Sequence, residues 1–284
     1  MRQAVLTDWQ LLTGRHEPPP EQRPLRAGRL TMVFESGDLR CIKLGGREVI
    51  RRVCAAVRDR NWGTVPSEIS DLKFEISEES FRIGYTSTHR QKEIYFVWQA
   101  EITGDAEGTI RFTFDGEAKT TFERNRIGFC VLHPIRDCAG AKCRARYLNG
   151  TEKELAFPEI IAPEQPVRWL HDLSGLAHEV EPDVWAELRF EGDAFETEDQ
   201  RNWIDASFKT FCTPLRVPYP LEIKAGTRVR QSVTLRLFEP QSGDPRDRAA
   251  HFNVQLPVVV LCPAVESPVD QDDAPGFVAD GRRR

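Results

Sequence analysis

The chain of 284 residues contains no apolar run near the roughly 18 residues that a membrane-spanning helix requires. It also has no excess of basic charge. Lys and Arg number 39 against 44 Asp and Glu, for a net charge of -5 and a pI near 5.8, and the cations are scattered rather than striped. That balance excludes the basic footprint of a nucleic-acid binder. The N-terminus carries Asp8 and Gln10 instead of a charged-then-apolar export signal, so the reading is a soluble, cytoplasmic chain with no membrane and no nucleic-acid partner. A P-loop, a Gly-x-Ser-x-Gly elbow, a His-Glu-x-x-His pair and a dinucleotide fingerprint are all missing. The common nucleophile, metal and phosphate-cradle machines therefore have no support, and no cofactor is expected.

Cysteine is present without pairing. Cys41, Cys54, Cys130, Cys138, Cys143, Cys212 and Cys262 form an odd set lacking Cys-x-x-Cys spacing, which suits reduced core or loop thiols. Cys138 and Cys143 with His133 nearby are the closest approach to a zinc set, but a fourth ligand is wanting, so no metal site is assigned. His171 and His178 offer no better one. A helix-period stripe of ordinary length is absent too; the best short candidate spans His171 to His178.

What the chain does have is strand grammar. Leu30 to Phe34, Leu39 to Leu44 and Val49 to Val57 are separated by a Ser-Gly-Asp turn at 36 to 38 and by Gly45-Gly46, the punctuation of antiparallel strands. Ile110, Phe112 and Phe114 alternate with Arg111 and Thr113, placing the apolar residues on one face. Ile127 to Leu132 is nearly unbroken apolar, predicting a strand covered on both faces and ended by His133-Pro134. Asn149-Gly150 suits a type I′ hairpin turn. Val184 to Phe190 and Val229 to Leu237 alternate again, and Val254 to Leu261 is a candidate last strand. Fifteen or more short strands without helices imply an all-β fold, a large two-sheet antiparallel β-sandwich. The expected organisation is an N-terminal arm over 1–28, with its Trp9 to Leu12 patch and Pro18-Pro19-Pro20, the sandwich over 29–262, and a Pro- and Asp-rich linker or tail over 263–284.

One stretch concentrates polar chemistry. Residues Phe190 to Thr210 hold six carboxylates, two side-chain amides, two cations and a Trp between apolar segments. Glu196, Glu198 and Asp199 near Asp205 could pair a raised-pKa acid with an ionised base, because crowded carboxylates repel. Gln200, Arg201 and Asn202 could donate to sugar hydroxyl or carboxylate oxygens, with Trp203 as an apolar platform. His133, at the end of a buried strand, is the second acid/base candidate if it faces a cleft. The competing reading is a charged loop in which Asp and Asn cap backbone, Arg201 and Lys209 neutralise neighbours, and Trp203 plugs an edge; motif-free acidic clusters favour it.

The run from Gly192 to Leu215 resembles the N-terminal part of the D-apionolactonase (D-apionate lactonase) family, sugar-acid lactonases of apiose catabolism. Gly37-Asp38-Leu39-Arg40 with Gly45-Gly46, Val57 to Pro66, and Arg126 to Pro134 fit the same resemblance, which covers most of residues 29 to 240. It implies a supersandwich similar to that of galactose mutarotases, joined in the full-length family to a central barrel and a further β domain. No strand-helix alternation follows in this chain, so the expectation is a sandwich without its barrel, inactive alone, with a separate barrel domain or chain as partner and a small sugar acid or lactone as ligand. Three functions follow. In a lactone hydrolase, Glu198, Asp199 or His133 activates water while Arg201 or Asn202 stabilises the oxyanion. The alternatives are a non-catalytic carbohydrate-binding or interdomain module, and a mutarotase-like epimerase using His133 with a carboxylate.

Overall fold

The computed structural model describes residues 6–14 and 18–239, and the candidate strand at 254–261, Cys262 and the tail at 263–284 lie outside those residues. The elements run in chain order α1 (Asp8–Thr13), β1 (Arg23–Ala27), β2 (Leu30–Glu35), β3 (Asp38–Leu44), β4 (Arg47–Asp59), β5 (Ser67–Ile76), β6 (Phe81–Gln91), β7 (Ile94–Gly104) and β8 (Ile110–Ala118). Then come β9 (Phe122–Pro134), α2 (Ile135–Cys138), β10 (Lys142–Tyr147), β11 (Glu152–Ala156), β12 (Leu173–Glu181) and β13 (Val184–Glu191). β14 (Glu196–Asp199), a 3-10 turn at Gln200–Trp203, β15 (Ser207–Phe211), β16 (Leu221–Ile223) and β17 (Arg228–Phe238) complete them. All pairings are antiparallel. One sheet runs β1-β2-β3-β4-β9-β15-β14, with β16 also on β9; the other runs β11-β10-β12-β13-β17-β8-β7-β6-β5.

The two sheets bury their facing sides against each other. Phe112 and Phe114 of β8 meet Phe129 of β9 at 5.0 and 6.0 Å between ring centres, and Trp98 stacks on Phe114 at 4.6 Å. These edge and offset contacts between fully buried rings are the ordinary packing of a sandwich core. The period-two reading of Ile110, Phe112 and Phe114 matches their burial. β9 ends at Pro134, where the ladder loses its donor and α2 begins. Its inward residues Ile127, Phe129, Val131 and His133 are buried, while outward Cys130 and Leu132 are half-buried.

Three sequence expectations change. The second half of the supposed arm is a sheet strand, since Leu25 and Ala27 of β1 are buried against β2. Trp9 lies in the short α1, begun by a capping box between Thr7 and Gln10. The helix candidate at His171 to His178 is instead the entry to β12, where six of nine residues are buried and they fall on both faces, so no clean alternation marks it. At Asn149-Gly150 only Gly150 takes positive φ, and its N–H donates to the Tyr147 carbonyl. That is a type I turn followed by a left-handed glycine, not type I′. The two-residue turn with both φ positive is at Ser36-Gly37.

Candidate functional site

The acidic stretch folds back as β14, the 3-10 turn and β15, on the edge of the first sheet. A strand sends successive side chains to opposite faces, and the register of Glu198 with Lys209 and of Asp199 with Phe208 sets the phase. Glu196 and Glu198 go outward with Lys209 and Phe211. Thr197 and Asp199 go inward with Phe208 and Thr210.

Inside, Thr197 and Thr210 share a hydroxyl contact of 2.8 Å, and Thr210 Oγ1 lies 2.8 Å from His133 Nε2. His133 is fully buried beside Phe157 and 6.0 Å from the His178 ring. Burial and the neighbouring His178 push its pKa well below the ordinary value, so the ring is neutral. The expected placement at a cleft is therefore corrected: β9 carries His133 inward, away from solvent.

Asp199 is also wholly buried, and its oxygens are spoken for. They accept from Arg201 Nε at 2.9 Å and Nη2 at 2.7 Å, from the Ala162 N–H at 3.0 Å and from the Arg201 N–H at 3.2 Å. Burial raises its pKa, but these donors outweigh it and hold the carboxyl below the usual range. The rest of the Arg201 guanidinium donates to the carbonyls of Pro158, Glu159 and Ile160 at 3.0, 2.8 and 3.1 Å. Asn202 Nδ2 reaches the Ala162 and Asp199 carbonyls at 3.2 and 3.1 Å. Asp199, Arg201 and Asn202 thus staple the 158–162 loop to the 3-10 turn, and the expected roles of base, oxyanion donor and ligand donor give way to that one. Trp203 is 58% exposed rather than an edge plug, and Asp205 accepts from Ser207 Oγ at 2.6 Å.

Of the candidates, Glu198 and Gln200 remain together on the outward face. Glu198 pairs with Lys209 at 2.8 Å and accepts from Gln200 Nε2 at 2.9 Å. Beside it, Glu196 accepts from the Leu215 N–H at 2.6 Å and stands 3.8 Å from Arg126; burial raises its pKa. The Arg126 guanidinium lies over the rings of Phe211 at 3.7 Å and Trp62 at 4.9 Å, and Trp62 packs edge-on against Tyr219. Sequence reasoning passed over Arg126 and Trp62. They sit more than 60 positions from the acidic run, and only the β4-β9-β15-β14 order brings them to it.

A second polar surface lies at the end of the other sheet. A groove of about 690 Å³ is lined by Tyr147, Asn149, Lys153, Arg168, Trp169, His171, Asp172 and Arg216, among others. Its walls are fixed: Tyr147 hydroxyl donates to the Trp169 carbonyl at 2.8 Å, and Trp169 Nε1 to the Ala156 carbonyl at 3.2 Å. Asp172 takes Arg216 Nε at 2.8 Å and His171 Nδ1 at 3.2 Å. Although burial raises its pKa, these donors hold the Asp172 carboxyl below its ordinary value. Arg168 is exposed, leaving a guanidinium at the groove wall. The arrangement pairs aromatic faces with surplus positive charge, suiting a small polyhydroxylated anion.

Among the described residues no cluster of three or more His, Cys, Asp or Glu is placed to hold a metal ion. Cys138 and Cys143, the start of the zinc reading, are buried, and burial pushes the Cys143 thiol up to about 12. No helix among the described residues is long and apolar enough to cross a membrane.

The backbone is that of known sandwiches. A candidate aldose 1-epimerase of Escherichia coli K12 superposes with a TM-score of 0.50 at 11% identity, over 77% of this chain and 99% of its own. A glycoside hydrolase family 97 enzyme of Pseudoalteromonas sp. strain K8 matches equally at 8% identity, over 76% of this chain and 36% of its own. Such identities speak for the fold alone, a galactose-mutarotase-like supersandwich. In sequence, the D-apionate lactonase of Brucella anthropi is 39% identical over 230 residues, 81% of this chain. The chain spans only 37% of that relative's length. The family profile for the D-apionate lactonase N-terminal domain matches residues 10–240, and with these two agreements the chain belongs to the D-apionate lactonase N-terminal domain family.

Proposed function

We propose that this chain serves the hydrolysis of a sugar lactone by holding the sugar-acid portion of the ligand on its sandwich. The groove between Tyr147, Trp169 and Arg168 carries the reading, because it offers ring faces for a sugar and an exposed guanidinium for a carboxylate. Membership of the D-apionate lactonase N-terminal domain family supports lactones and acids related to D-apionate as the ligand class to test. The interior position of His133 and Asp199 speaks against their activating water, and against an epimerase pair built on His133. Glu198, with Lys209 and Gln200 beside it, shares the outward face with Glu196, and both carboxylates are themselves buried there. The test pairs two assays on the purified chain: turnover of a D-apionate lactone and calorimetric binding of its open acid. Binding lost in Trp169→Ala and Arg168→Ala but unchanged in Glu198→Gln supports the reading. Binding that ignores both groove variants refutes it.

A second reading, an interdomain or partner-docking module, is favoured by one observation. Ile160, Ile161, Trp203 and Ile204 are 81, 50, 58 and 99% exposed, on the two loops that Arg201 ties together. An apolar surface prepared by a buried staple suits a protein partner, such as a separate barrel domain or chain.

A further inference from the structure

Two thiols on the outward face of the first sheet are not used by any of this. Cys54 of β4 and Cys130 of β9 are direct partners in the antiparallel register, so their side chains stand side by side on one face. Directly opposed residues have Cα atoms about 4.5 or 5.5 Å apart, according to the type of pair, and a disulfide accepts about 4.4–6.8 Å. The backbone is therefore already within the range that a cross-strand disulfide needs. Both residues are half-buried. The remaining cysteines of the described residues differ: Cys138, Cys143 and Cys212 are buried, and Cys41 is exposed. Cys212 in particular turns inward, its Sγ 3.2 Å from Gln231 Oε1.

The surroundings separate the two sulfurs chemically. The neighbouring Cys54 thiol lowers the Cys130 pKa first and most, and although burial opposes it, the charges of Lys209, Arg58 and Arg126 assist, so the thiol is held below its ordinary value. Cys54 is pushed the other way, by the neighbouring Cys130 and by burial, with Asp38 adding to the rise and Arg52 opposing it. The cations near Cys130 and the Asp38 carboxylate near Cys54 favour Cys130 as the attacking thiolate.

We propose that Cys54 and Cys130 are a thiol modification site: a dithiol that converts reversibly to a cross-strand disulfide by exchange with a small-molecule disulfide of the glutathione class. In the first step the Cys130 thiolate attacks one sulfur of the small disulfide. Its S–S bond breaks and one small thiolate leaves, taking a proton from water. Cys54 then gives its proton to solvent base and attacks the Cys130 sulfur, displacing the second small thiolate. Two protein thiols are oxidised and one small disulfide is reduced to two thiols. The site adjoins Lys209 and Arg126, the cations that pair with Glu198 and Glu196, so oxidation changes the electrostatics of that face.

The test uses the full chain with Cys41→Ser and Cys262→Ser, equilibrated in glutathione buffers from reducing to oxidising and read by intact mass and peptide mapping. The expected result is loss of two hydrogens, mapped to the Cys54 and Cys130 peptides and reversed by dithiothreitol. Adding Cys54→Ser should stop the reaction at one glutathione adduct on Cys130, whereas Cys130→Ser should abolish the intramolecular bond. Circular dichroism melts check that each variant is folded. Both thiols remaining alkylatable in the most oxidising buffer would overturn the proposal, as would an adduct that forms on Cys54 first. The result is independent of lactone binding, so it stands or falls apart from the reading of the groove.

Discussion

Acid should destabilise this protein through its buried histidines, well above the pH at which ordinary carboxylates titrate. His178 is 2% exposed, between Phe157 and His133, and burial, with the Arg47 charge adding to it, lowers its pKa to about 4 despite a hydrogen bond to the Val49 backbone. In the unfolded chain the ring binds its proton near 6.5, so between about 6.5 and 4 the unfolded state holds more protons than the folded one. Stability contributed this way is complete above 6.5 and is lost as pH falls through that window. A pKa held at about 4 amounts to roughly 3 kcal/mol, a large share of the 5–15 kcal/mol of an ordinary domain. His133 acts with the same sign. Asp38 opposes them: burial raises its pKa to about 6, against the pull of Arg52 and Arg40, and the cost of its charge is relieved as pH falls. The clean quantity is therefore the difference between wild type and His178→Leu in urea unfolding at pH 7.5 and pH 4.5. The wild type should lose about 2–3 kcal/mol more than the variant over that interval. Parallel profiles, or a His178 ring whose NMR signals titrate near 6.5, would refute the argument.

Other consequences are more local. Arg201→Ala leaves the Asp199 carboxylate buried without its cation, and a loss of about 3–5 kcal/mol in denaturant unfolding is expected, where a surface pair would cost under about 1 kcal/mol. Gly128 of β9 sits at φ +142°, and a Cβ there would lie 2.1 Å from Gln231 Oε1, which the Phe129 N–H already holds. Gly128→Ala should therefore cost at least about 2 kcal/mol by the same measurement. Trp169 is 39% exposed, so Trp169→Ala should lower sugar-acid affinity about tenfold by calorimetry while shifting the thermal midpoint little. A midpoint that falls as far as it does for Arg201→Ala would show the residue to be structural.

The contrast between what was legible and what was not has a physical source in the pleat. Ile110, Phe112 and Phe114 announce their strand because one face is apolar and the other polar, and the turn glycines announce the hairpins by their φ. β12 hides because both of its faces are covered, which removes the alternation. The acidic run was legible as unusual but not as to its use, since composition does not say which residues point inward. Once the register fixes Thr197 and Asp199 on the inner side, the rest is compelled. A carboxylate with no solvent must find donors, and Arg201, two residues on, is the nearest cation that can supply them. Its remaining N–H groups then need acceptors, which are the carbonyls of residues 158–160, some 40 positions earlier. Backbone acceptors carry no sequence signature, so the staple could not be read in advance. The same holds for Arg126 and for the groove, each assembled from segments far apart in the chain. What resembled one catalytic constellation is thereby divided by the sheet into an interior staple of Asp199, Arg201 and Asn202 and a separate set, Glu196, Glu198 and Lys209, on the opposite face.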